Sequence, residues 1–99
     1  MMKIKTTVWD PARHLRTKKD IAAYLEAAFE DGDAAVIAAA LGDIARAKGM
    51  AKVAKAAGVT REGLYRSLSA NGNPELDTVL KVANSLGLRL SVKKIRKAA

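Results

Sequence analysis

The sequence predicts an all-α domain of five helices with a short β-strand at each end. Three observations carry this. Twenty of the 99 residues are alanine and aromatics make up only 4%, which suits closely packed helices around a thin core better than a β-sandwich or a deep-pocketed α/β enzyme. Apolar residues recur at helical spacing in successive stretches separated by glycine and asparagine breakers. Finally, residues 50–69, MAKVAKAAGVTREGLYRSLS, describe two short helices crossed at a fixed angle. The length allows one domain with a real core and no second one. The chain divides into an N-terminal arm or strand at 1–16, a helical body at 17–87 and a C-terminal strand with a basic tail at 88–99.

Lys3–Val8 alternates, with Ile4, Thr6 and Val8 on one side, and reads as a strand that Asp10-Pro11 breaks. Thr17 caps the first helix, whose apolar positions are Ile21, Tyr24, Leu25, Ala28 and Phe29. Asp20, three residues after Thr17, resembles the far side of a capping box. Asp31-Gly32-Asp33 ends that helix, and Asp33 caps a second one over about Ala34–Lys48, with Ile37, Leu41 and Ile44 inward and Gly49 as its stop.

In the 50–69 stretch, Met50, Val53, Ala54 and Ala57 form one helical stripe, and Leu64 and Leu68 begin another. Ala54 lets the second helix pass close by, and Gly58 can take the positive φ of a sharp turn. Thr60 caps the second helix and leaves Arg61, Glu62, Tyr65 and Arg66 outward. This is the helix-turn-helix pattern that puts a recognition helix into the DNA major groove; the bland alternative is a tight helical hairpin. After Asn71-Gly72-Asn73-Pro74, a last helix is marked by Leu76, Val79, Leu80, Ala83 and Leu86 and stops at Gly87. Leu88, Leu90 and Val92 alternate with Arg89, Ser91 and Lys93, which predicts a terminal strand. The two strands would pair with each other or with a second subunit.

The net charge of +8 and pI near 10.1 favour a polyanionic partner. The charge is uneven: residues 17–33 sum to −3, residues 34–73 to +4 and residues 88–99 to +5. Arg61 can meet a guanine edge in bidentate fashion or contact a phosphate. Glu62 accepts from a cytosine, orients Arg61, or simply complements its own helix N-terminus. Tyr65 reaches a phosphate or thymine methyl, or is part of the core. Gly63 suits a helix lying close to DNA or to another helix. Lys48, Lys52 and Lys55 flank the first helix of the pair, and Asn71 and Asn73 lie just beyond the second. They read as phosphate contacts or as a solvated face. The tail cations Arg89, Lys93, Lys94, Arg96 and Lys97 stay open.

The absence of cysteine excludes disulfides and thiolate metal sites. No apolar run approaches the ~18 residues of a membrane span, and MMKIKTTVWD lacks a signal-peptide core, so a cytoplasmic protein is expected. His14 is the only histidine; no Ser/His/Asp set, metal spacing or Gly-rich phosphate loop is present. No enzymatic activity, metal or cofactor is expected.

Three segments together resemble a known family: WDPARHL (9–15), KKDIAAYLEAAFEDGDAAVIAAALGDIARAKGM (18–50) and AKAAGVTREGLYRSLSANGNPELDTVLKV (54–82). Over about residues 8–92 the chain is similar to the helix-turn-helix antidotes (antitoxins) of bacterial toxin–antitoxin addiction modules, of the lambda-repressor-like (Xre/HigA-like) class. The resemblance implies a five-helix lambda-repressor-like domain that blocks a RelE/ParE-like toxin from the same operon and represses its own promoter on double-stranded operator DNA, often as a homodimer. It carries operator recognition onto Thr60, Arg61, Glu62, Tyr65 and Arg66. It offers no local motif for the toxin contact; the acidic first helix (Asp20, Glu26, Glu30, Asp31, Asp33) is the expected surface. The basic extension 93–99 departs from the family's shorter ending. Two competing readings are a prophage-type transcriptional regulator without a toxin partner and a protein-interaction module that has lost DNA binding.

Overall fold

Five helices follow one another with short connections in the computed structural model, which describes residues 15–69 and 72–95. They are α1 (Lys18–Asp31), α2 (Ala34–Lys48), α3 (Met50–Ala57), α4 (Arg61–Ser67) and α5 (Leu76–Ser85). Several boundaries have a local cause. At α1 the Thr17 hydroxyl accepts from the Asp20 amide at 3.0 Å, and the Asp20 carboxylate accepts from the Thr17 amide at 3.2 Å, so the expected capping box is present. Gly32, left-handed at φ 80°, ends the helix. Asp33 then caps α2 by accepting from the Ala35 amide at 2.9 Å.

Between α3 and α4 the chain turns through Gly58, Val59 and Thr60. Gly58 is left-handed at φ 75°, and the amides of Gly58 and Val59 donate to Lys55 and Ala54 carbonyls at 3.2 and 3.0 Å. That closes the open carbonyls of α3 and leaves Thr60 extended as the cap of α4.

The core gathers at α2, which lies against α1 on one side and α3 on another. Its fully buried large side chains are Ile21, Leu41, Ile44, Leu64, Leu68 and Val82, each stabilising by ~1.5–3 kcal/mol relative to exposure. Burial on α2 is wider than its three expected residues: Ala38, Ala40, Gly42 and Ala45 are also buried, whereas Ile37 is only half-buried. Gly42 makes a close approach between α2 and the end of α4. A Cβ there would lie 2.7 Å from the Leu68 carbonyl oxygen, so only glycine lets α2 pass the end of α4 without a shift.

A polar clamp ties α1 to α2. The Tyr24 hydroxyl donates to Asp43 at 2.6 Å, and Arg46 donates to the other Asp43 oxygen at 2.8 Å. Partial burial and then the Asp43 carboxylate push the Tyr24 phenol up to about 12.

Three expectations need correction. Residues 88–92 form no strand. Leu88 and Leu90 pack on the core, but 89–95 has no backbone hydrogen bonds to a neighbouring segment among the described residues, and Val92 is 98% exposed; alternation alone does not make a ladder. The Lys3–Val8 strand lies outside the described residues. On α5 the buried stripe is Val79, Val82, Ala83 and Leu86. At ~100° per residue that stripe takes in Val82 and leaves Leu80 a quarter turn off its centre, while Leu76 sits in the uncovered first turn; they are 45% and 67% exposed. Phe29 likewise faces outward on α1.

Candidate nucleic-acid interface

Helix α4 is short, and two side chains hold it down: Leu64 and Leu68, both buried. Its N-terminus is fixed by Thr60, whose hydroxyl accepts from the Gly63 amide at 2.9 Å. The same cap explains Gly63, since a Cβ there would meet the Thr60 hydroxyl at 2.8 Å. The glycine answers to the cap, not to a neighbouring helix.

With Leu64 and Leu68 inward, Arg61, Glu62, Tyr65 and Arg66 are all exposed. The Arg61 guanidinium lies 5.3 Å from the centroid of the Tyr65 ring, a contact worth ~0.5–1 kcal/mol at an exposed site. It is Tyr65, not Glu62, that steadies Arg61; the i, i+4 spacing could have revealed this. Tyr65 lies outside the core cluster, so its expected alternative as a core residue does not hold. Glu62 complements the positive helix N-terminus.

Lys52 and Lys55 are exposed on α3, Lys48 is exposed at the end of α2, and Asn73 is exposed ahead of α5. Asn71, Arg96 and Lys97 lie outside the described residues. Among the described residues, Lys48, Lys52, Lys55, Arg61 and Arg66 have no carboxylate within ion-pair distance. Their charge is therefore unneutralised, which is the electrostatic condition for a polyanion. Among the described residues no group of histidine or acidic side chains could hold a metal, and no helix is long and apolar enough to cross a membrane.

The described residues form a small helical body that displays one anchored helix whose outward cations have no carboxylate within ion-pair distance among them. Residues 5–94 match the family described as "Probable addiction module antidote protein", and the chain belongs to that family. A curated relative, an uncharacterized protein of Haemophilus influenzae, is 43% identical over 88 residues, covering 89% of this chain and 91% of its own. No solved structure matches the chain. An antidote of an addiction module has a toxin of some kind as its partner.

Proposed function

We propose that this chain is a lambda-repressor-like helix-turn-helix antitoxin that neutralises a RelE/ParE-like toxin in the cytoplasm and, as a homodimer on operator DNA, represses its own operon. The observation that carries the DNA-binding half is the outward row on α4, where Arg61, Glu62, Tyr65 and Arg66 are exposed above buried Leu64 and Leu68. The family supports the toxin-binding half.

In this reading α4 enters the major groove. Arg61, preoriented by Tyr65, reads a guanine edge, and Arg66 and Thr60 flank it. Lys52, Lys55, Asn71 and Asn73 hold phosphates and set register without reading sequence. Leu76 and Leu80, exposed one turn apart on α5, supply an apolar strip for the second copy, which would present two recognition helices to half-sites ~34 Å apart.

Electrophoretic shift with duplex from the chain's own upstream region tests this. Arg61→Ala should relax preference at one base pair by ~1–3 kcal/mol, whereas Lys55→Ala should weaken binding to all sequences alike and lower the salt slope by about one. Equal effects of both changes on every probe would refute the division of roles. Co-purification with the product of the adjoining gene separates the antitoxin from a regulator that lacks a toxin partner.

A further inference from the structure

A groove of about 340 Å³ runs along the outer seam of α1 and α2. Alanine makes it: Ala27 and Ala28 from α1 and Ala39 and Ala40 from α2 line it, with Val36 beside them. Larger side chains at those positions would fill the trench. Val36, 39% exposed, leaves apolar surface in water there.

The two ends of the groove differ. At one end Asp43 already accepts from Tyr24 and Arg46, so its charge is spent within the protein. At the other end stands Asp31, exposed, with Glu30 and Asp33 close in sequence. None of these three has a cation within ion-pair distance among the described residues. On a chain of net charge +8, the segment 17–33 carries −3. A nucleic acid is repelled from such a place; a cationic protein surface is drawn to it. One cation of the chain's basic tail, Lys93, lies 3.9 Å from Glu26, which at helical spacing points away from the groove row of Tyr24, Ala27, Ala28 and Asp31.

We propose that this groove is the docking site for an amphipathic, cationic segment of the toxin, with apolar side chains over the alanines and a lysine or arginine at Asp31. The inference rests on the antitoxin reading above and assigns its second surface.

The test uses the full chain co-expressed with the product of its adjoining gene, with isothermal titration of the purified pair. Ala39→Arg fills the groove from an exposed helical position where arginine is a good helix former, and Asp31→Lys reverses the open end. Each should weaken the complex at least about tenfold, with an unchanged melting temperature and an unchanged shift of upstream DNA; Glu75→Lys, an exposed control ahead of α5, should do neither. Full affinity in Ala39→Arg would overturn the groove and leave the antitoxin reading standing. If the unmodified chain shifts DNA but binds no adjoining product, the antitoxin reading itself fails and takes the groove with it. A fall in sedimenting mass of Ala39→Arg alone would assign the groove to a second copy. A change in the emission of Trp9, the only tryptophan, would assign it to the chain's own N-terminal arm; either outcome overturns the proposal.

Discussion

Among the described residues the cations of α3 and α4 have no carboxylate within ion-pair distance, whereas in the α1–α2 hairpin Asp43 is held by Tyr24 and Arg46 at 2.6 and 2.8 Å. Both pairs use the same backbone devices, a left-handed glycine and a side-chain cap. The hairpin adds a polar clamp between its helices. Helix α4 is held by buried leucines and its cap, and among the described residues neither of its arginines is paired with a carboxylate. An element whose stability comes from its apolar underside keeps its charges for a partner. One that consumes a carboxylate in its own clamp has fewer to offer.

Five substitutions sharpen this contrast. Leu64→Ala should have the largest effect, a loss of ~2–5 kcal/mol read by urea unfolding, because Leu64 is fully buried beneath α4; a loss near zero would mean that α4 is not anchored through it. Gly42→Ala comes next. Helix propensity alone would stabilise it by ~1 kcal/mol, but the carbonyl of Leu68 would sit 2.7 Å from the new Cβ. We expect a net loss of ~1–3 kcal/mol, as for overpacked sites, and thermal melting gives the sign.

Removing the caps should cost ~1 kcal/mol each. Thr60→Ala should exceed Thr17→Ala, because α4 has 7 residues to share the loss and α1 has 14; the reverse order would place the weaker element in the hairpin. Tyr24→Phe is the smallest change and depends on pH. The folded phenol stands at about 12 against 10.0 ordinarily, so its contribution is complete below pH 10 and fades as pH rises from 10 to 12. The stability gap between the unmodified chain and Tyr24→Phe should narrow over that window in alkaline denaturation. A gap of constant size would dissociate the clamp from the proton on Tyr24.

Where a local rule decides, the sequence was readable. Thr17 with Asp20, Asp33, Gly58 and Thr60 act within four residues of themselves, and α2 spans the expected Ala34–Lys48. Tertiary choices were less visible. Leu76 and Leu80 fit a helical stripe as well as Val82 does, and only the position of α3 decides which face is covered. Alternation in 88–92 carries no information about a pairing strand. The clamp between Tyr24 and Asp43 joins residues 19 apart, and the need for glycine at 42 comes from the end of a helix 26 residues later. In the candidate interface the outward set on α4 is legible from Leu64 and Leu68, while the Arg61–Tyr65 stacking is one of several contacts its i, i+4 spacing allows, and only the side-chain conformations select it.

The passage of α2 beneath the Leu68 carbonyl at the end of α4 leaves no room for a side chain at 42. Should an occupant of α2 disturb that contact, the end of α4 would feel it, and the reverse would hold for an occupant of α4. Thermodynamic reciprocity then fixes the size of the exchange: whatever factor one occupant imposes on the affinity of the other, it receives in return.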